Sequence, residues 1–342
     1  MATPSNSIRK LFPLHRLGRL RLLVQGGFFL YTLFIGLRFT LFYQWAIGQS
    51  EHYVARPPGV EGFLPISALL GLKSLTLTGH YDQIHPAGLT IFMAALLIGL
   101  LLRKGFCGWI CPVGFVSNLV ERAGRGLKLL RRLPAWLALP LHGMKYLLLT
   151  FFCYIILWKM TLPQIVAFQA APYNLAADAK MLLFFLAPST LVAVVMLCLT
   201  IISLVIPNFW CRFLCPYGAL LGLLALAGPV KIQRDEATCI NCRRCERVCP
   251  GAIKITSKNQ VLANECGGCL ECVGACPVPN CLTLRAGRSR QVPALLLPVA
   301  VIGLFLLCYL AALATGHWHS SVPAAELGRY YGLINNLPHP SY

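Results

Sequence analysis

Five stretches of the chain are apolar almost without interruption, at positions 22–45, 86–102, 139–157, 181–206 and 292–314. Each is near the roughly 20 residues that a helix needs to cross a bilayer core, so they predict five membrane spans. The second and third are the shortest. One further apolar segment, 63–77, follows the turn sequence Arg56-Pro57-Pro58-Gly59. At about 15 residues it is too short to span and is expected to lie along the interface.

Composition agrees with this pattern. Of 342 residues, 57% are hydrophobic and 12% charged, with a mean hydropathy of +0.67. A soluble domain has about 45–50% apolar and about 25% charged residues, so most of this polypeptide belongs in lipid. The basic residues then set orientation. Arg9, Lys10, Arg16, Arg19 and Arg21 precede the first span, seven Lys and Arg lie within 103–132, and eleven lie within 212–290. The opposite loops and tail hold Arg56, Lys73, Lys159, Lys180 and Arg329. The N-terminus is therefore expected in the cytoplasm and the tail 315–342 outside, in a bacterial inner membrane. The net charge of +19 is mostly this inward bias and does not indicate a nucleic-acid partner. Without a small-residue cleavage site, the first span reads as a retained anchor.

Chemistry enters with the cysteines. Cys239-x-x-Cys242-x-x-Cys245-x-x-x-Cys249-Pro250 is followed by Cys266-x-x-Cys269-x-x-Cys272-x-x-x-Cys276-Pro277, with sixteen residues between Cys249 and Cys266. This is the bacterial two-cluster spacing, in which the fourth cysteine of each run ligates the other cluster. Cys239, Cys242, Cys245 and Cys276 are assigned to one [4Fe–4S] cluster, and Cys266, Cys269, Cys272 and Cys249 to the second. Structural zinc needs only CxxC pairs and leaves the rest of the pattern unexplained. Sixteen cysteines on a reducing side argue for metal ligation over disulfides. Cys153, Cys198 and Cys308 sit singly inside spans as apolar fillers. Cys281 is an extra thiol beside the second run.

The remaining four cysteines belong to an internal duplication. Phe106-Cys107-Gly108-Trp109-Ile110-Cys111-Pro112-Val113-Gly114 repeats 104 residues later as Trp210-Cys211-Arg212-Phe213-Leu214-Cys215-Pro216-Tyr217-Gly218. The unit is span, outside loop, span, then a CxxxCP turn at the inner face. Both copies point the same way, which makes a parallel repeat. Side by side, Cys107, Cys111, Cys211 and Cys215 would supply the four thiolates of a third iron–sulfur cluster. Free structural thiols, or a redox-active dithiol at each turn, are the other readings.

Two CxxxCP turns after membrane spans, followed by a two-cluster ferredoxin segment, resemble the NapH/NosR/MauN-type membrane polyferredoxins. The resemblance runs from the first span to Leu284 and implies electron exchange between the quinone pool, iron–sulfur clusters and a partner redox protein. It carries over to Cys239, Cys242, Cys245, Cys249, Cys266, Cys269, Cys272 and Cys276, and to Cys107, Cys111, Cys211 and Cys215. The chain departs in its fifth span and outside tail, and in lacking the large N-terminal flavin-binding domain of the NosR type. The expected fold is thus an α-helical integral membrane protein with a parallel 2+2 repeat plus one span and an inserted α+β 2[4Fe–4S] ferredoxin domain. Its segments are a basic cytoplasmic tail (1–21), the first repeat (22–120), a cytoplasmic amphipathic connector (121–138), the second repeat (139–228), the ferredoxin domain (229–291), the last span (292–314) and the periplasmic tail (315–342).

All eight histidines lie outside the hydrophobic cores and no CxxCH occurs, so no transmembrane haem is indicated. A core of about 30 Å is too thick for one efficient tunnelling step, which leaves a lipid-soluble quinone as the favoured carrier. His142, Lys145 and Tyr146 at the inner end of the third span, and Trp109, are candidate quinone contacts or plain interfacial anchors. Arg38 inside the first span is functional or snorkels outward. Outside, Tyr81, Asp82, His80 and His85 form a second quinone pocket or are ordinary polar loop residues. His317-Trp318-His319 contacts a periplasmic partner or metal, or anchors at the interface. Ten basic against five acidic residues within 231–290 suit docking on an acidic soluble carrier or on anionic lipid. The rival function is an accessory role in copper-centre assembly, since soft thiolates favour Cu(I). A third is a structural anchor for a larger respiratory complex.

Overall fold

The computed structural model describes residues 16–131, 133–287 and 290–337. Arg9, Lys10, His15, Arg132 and His339 lie outside the described residues. The chain is mostly helical. Helices Leu17–Ala46, Trp136–Lys159 and Leu296–Ala314 are each long and apolar enough to cross a membrane. The expected fourth span is two helices, Ala177–Leu186 and Thr190–Val205, meeting at a 69° bend. Pro188 accounts for the break, because it lacks an N–H and pushes the residue before it out of the helical region. Ala187 accordingly sits at φ −133 and ψ 60. The expected second span is the 16-residue helix Pro86–Leu101. Three of the five expected spans thus meet the length requirement as single helices, and a fourth does if the bent pair is one span. Segment 63–77 forms the helix Pro65–Thr78, opened by a proline and closed by Gly79 at φ 74, as a left-handed C-terminal glycine does.

The chain divides into two compact units. The first comprises Met1–Phe29, Ala95–Leu149 and Cys198–Leu304, and so contains all of the cysteine motifs. Its sheet is antiparallel, with strands β1 (Val230–Arg234), β2 (Gln260–Val261), β3 (Leu282–Ala286) and β4 (Arg290–Val292) in the order β2-β1-β3-β4. Ile232 on β1 lies opposite Val261 on one side and Leu284 on the other, all three buried. The first cysteine loop connects β1 to β2 and the second connects β2 to β3, so the strands clamp the ends of both loops.

The second unit comprises Leu30–Ala94, Thr150–Leu197 and Phe305–Tyr342. Phe39, Phe42, Val60, Ala176, Ala179, Leu327, Tyr331 and Ile334 form its core. Charged groups are buried beside them. Arg56 pairs with Glu61 and Asp178, each at 2.7 Å. The Tyr331 hydroxyl donates to Asp178 at 2.8 Å, and the Gly88 N–H donates to Glu61 at 3.1 Å. His85, 1% exposed, sets Nε2 2.8 Å from the Asn174 carbonyl and Nδ1 3.7 Å from Glu61. Buried charge is tolerated only when paired in this way. The ammonium of Lys73 donates to the carbonyls of Ile156 at 3.0 Å and Leu157 at 3.1 Å, on the π-helical turn Tyr154–Lys159.

Candidate iron–sulfur centres

The two ferredoxin loops have the same backbone shape. Asn241 and Arg243 flank Cys242 at φ 51 and 55, and Gly268 and Leu270 flank Cys269 at φ 61 and 61. Non-glycine residues resist this left-handed region, at roughly 1–2 kcal/mol each. The alternation turns successive N–H groups into one concavity, as in nests that hold anionic iron–sulfur groups. Each loop then closes on a short helix, Arg244–Arg247 or Glu271–Ala275.

Cys239, Cys242, Cys245 and Cys276 line a single hollow with an empty volume of about 330 Å³. Cys276, the fourth cysteine of the second run, thus lines the same hollow as the first three cysteines of the first run. No carboxylate lines the hollow, and Arg234 and Arg243 do, which suits an anionic thiolate-bound group. The Asn241 N–H holds the Cys239 thiol below its ordinary value. The second set is more enclosed. Burial pushes Cys249 up to about 12, with Cys269 and Cys266 close enough to raise it further. It pushes Cys269 to about 11, and Cys272 also rises through burial beside Cys269, Cys249 and Cys266. Buried thiols that oppose one another's ionisation need a positive centre among them to become thiolates. Among the described residues, no three His, Cys, Asp or Glu side chains are placed to hold one metal ion.

The CxxxCP turns share a main backbone bond. Cys111 N–H donates to Phe106 O and Cys215 N–H to Trp210 O, both at 2.9 Å. The next helices start at Pro112 and Pro216 after an extended cysteine, with ψ of 121 and 107. A proline with preset φ and no N–H suits that first position. All four thiols gather. Burial pushes Cys107 up to about 11, opposed by Lys104, with Cys215 nearby. Burial likewise pushes Cys211 to about 12 beside Cys215 and Cys107, and raises Cys111 beside Cys107 and Cys211. Lys104 is only 6% exposed. Burial would lower its ammonium, but Cys107, Glu265, Cys211 and Cys215 hold it above its ordinary value.

The first turn is fastened to the second ferredoxin loop. Trp109 donates from Nε1 to Gly268 O at 3.1 Å, and Arg21 Nε donates to Gly108 O at 3.0 Å. Arg21 also pairs with Glu271 at 2.8 Å. Asn208 links the other turn to the first loop, donating to Pro250 O at 3.3 Å and accepting from Ser117 at 2.7 Å. Arg103 donates to the carbonyls of Ala225, Val261 and Ala263 at 3.1, 3.2 and 2.8 Å.

Several expectations change. Trp109 is wholly buried, so it is neither an interfacial anchor nor exposed to a quinone. His142 and Lys145 meet Glu265, and Tyr146 meets Asn264, one and two residues before Cys266. Tyr81 bonds Thr90 at 2.7 Å and stacks on His317 at 4.3 Å. Asp82 accepts from Gln169 and from the N–H groups of Ile84 and His85. With His85 in the ionic network, these act as structural polar residues; His80 is exposed. Arg38 is half-buried. Sequence reading counted Lys104, Arg103 and Arg21 only as inward charge, and passed over Glu265. Their nearness to the cysteines was the available signal.

A family model described as "4Fe-4S binding domain" matches at 84–133 and again at 186–234, over the two CxxxCP turns. A "4Fe-4S dicluster domain" model matches at 231–277. The putative electron transport protein YccM of Escherichia coli is 39% identical over 98% of this chain and 93% of its own length. The methylamine utilization ferredoxin-type protein MauN of Methylorubrum extorquens is 32% identical over 67% of this chain and 78% of its own. The ferredoxin-type protein NapH of Haemophilus influenzae is 27% identical over 56% and 67%. No solved structure matches the chain. Paired ferredoxin loops, duplicated CxxxCP turns and relatives of this extent have one explanation: the chain belongs to the NapH/NosR/MauN-type membrane polyferredoxins, electron-transport proteins with 4Fe–4S domains.

Proposed function

We propose that this protein carries electrons between the quinone/quinol pool and a partner redox protein. Cys239, Cys242, Cys245 and Cys276 hold one [4Fe–4S] cluster, Cys249, Cys266, Cys269 and Cys272 a second, and Cys107, Cys111, Cys211 and Cys215 a third centre. Bound clusters of this kind take up and release single electrons, at potentials set by nearby charge and hydrogen bonds. The reading is carried by one contact, the Trp109–Gly268 bond. It joins the CxxxCP thiols to the loop of Cys266 and Cys269 through protein alone. Lys104 and Arg21 offset thiolate charge on either side of that contact. His142, Lys145 and Tyr146, gathered at Glu265 and Asn264, mark where a quinone headgroup would approach from the lipid. The matching turn geometry and the doubled family match support a parallel repeat, while the inward bias of Lys and Arg and the five apolar stretches support a cytoplasmic ferredoxin domain and five spans.

Iron analysis of anaerobically purified protein tests this. About ten to twelve irons per chain are expected, falling to about eight when Cys107 and Cys211 are both changed to serine. About eight in both proteins would remove the third centre. A preparation without iron, or with no low-temperature paramagnetic signal after reduction, would refute the carrier reading. The four half-buried CxxxCP thiols also favour a second reading, copper handling for another protein's metal centre. It would gain if that double variant kept quinol-dependent cluster reduction but lost metal loading of the partner.

A further inference from the structure

The hollow assigned to the first cluster is walled by a fifth thiol, Cys281. A four-iron cluster takes four cysteines, so one of the five is spare. Cys281 is 3% exposed and is held by the sheet rather than by the loop. The Asp235 N–H donates to its carbonyl at 2.8 Å, and its Sγ lies 3.7 Å from the Asp235 carbonyl. The next residue, Leu282, pairs with Arg234 across β1 and β3. Cys239 belongs to the opposite kind of structure, a loop position between exposed Thr238 and Ile240. Cys239, Cys276 and Cys281 all line this one hollow. Arg234 lines the same hollow and brings a positive charge to it.

Building on the cluster assignment above, we propose that Cys281 is a reserve ligand, able to take over the iron that Cys239 holds. In the exchange the iron–sulfur bond to Cys239 breaks and a bond from Cys281 Sγ forms. The Cys281 thiol proton passes to the departing Cys239 thiolate, and no electron is gained or lost. The sheet fixes the incoming sulfur beside the outgoing one, and Arg234 compensates whichever thiolate is present. The loop thereby loses a ligand without losing the cluster.

The test uses the full chain, anaerobically purified as wild type, Cys281→Ala, Cys239→Ala and the double variant. Iron content and low-temperature paramagnetic spectra after reduction are compared. Wild type and Cys281→Ala should carry equal iron. Cys239→Ala should keep that iron with an altered first-cluster signal, and the double variant should lose about four irons. The second cluster's signal, present in all four proteins, reports folding. Loss of iron in Cys239→Ala as complete as in the double variant would overturn the proposal, as would loss in Cys281→Ala alone. Wild-type protein without the first cluster's signal would overturn the assignment itself.

Discussion

Gly108 offers a direct test of whether the CxxxCP turn is seated on the second ferredoxin loop. A Cβ at this position would stand 2.3 Å from the Gly267 carbonyl oxygen and 3.3 Å from its carbon. Carbon and oxygen ordinarily approach to about 3.3 Å, so the two segments must part by roughly 1 Å. Backbone oxygen does not swing aside as a flexible side chain does. Overpacking of this kind costs about 1–3 kcal/mol, and a 1 Å shift would also break the 3.1 Å Trp109–Gly268 bond, adding about 1 kcal/mol. Gly126, with nothing within 4 Å of its Cβ position, is the matched control. The assay is thermal loss of the iron–sulfur absorbance in anaerobic detergent solution. Gly108→Ala should lower the midpoint by roughly 5–15 °C, at about 2–4 °C per kcal/mol, whereas Gly126→Ala should leave it in place. If both melt within about 1 °C of wild type, the docking described here is wrong.

Arg103→Leu would strand three buried carbonyls, a loss of at least about 3 kcal/mol. Lower iron content and faster proteolysis within 229–291 are expected, and wild-type values for both would contradict the clamp. Tyr331→Phe removes a hydrogen bond to a buried carboxylate, worth about 1.5–3 kcal/mol. Protease cleavage after residue 315 should quicken, while iron content stays unchanged. The same readout has a pH dependence. Burial would lower His85, but Glu61 holds it above its ordinary 6.5; its contribution is complete below 6.5 and lost as pH rises through the raised value. Burial would raise Glu61, but Arg56 and His85 hold it below its ordinary 4.5; its contribution is complete above 4.5 and lost as pH falls through the lowered value. Tail protection should therefore peak in mildly acidic buffer, and His85→Gln should abolish the alkaline decline.

The presence of 4Fe–4S domains was legible because iron–sulfur ligation is written in local spacing. That Cys276 shares a hollow with Cys239, Cys242 and Cys245 was expected from that spacing without knowledge of the sheet. Spans were legible where hydropathy simply accumulates, as over Leu17–Ala46 and Leu296–Ala314. The break at Pro188 was visible as a breaker, yet the apolar residues on both sides masked it. Left-handed Arg243 and Leu270 were not legible, since nothing in either residue type prefers that region. Nor was the Arg56–Asp178–Tyr331 network, whose members join across 122 and 153 residues and leave no periodicity. Gly108 is the instructive case. The second copy has Arg212 at the same place, and only the contact with Gly267 explains why the first has no side chain there.

The wide separation of Asp178 and Tyr331 bears on biogenesis. Asp178 leaves the ribosome 153 residues before the hydroxyl that completes its pairing. Until then its buried carboxylate relies on Arg56 alone among these partners. Closure of that unit must therefore wait for insertion of the helix Leu296–Ala314 and delivery of the helix Ala324–Gly332 behind it. A chain truncated just after that last hydrophobic helix would carry every cysteine motif yet lack the hydroxyl that completes the Asp178 pairing.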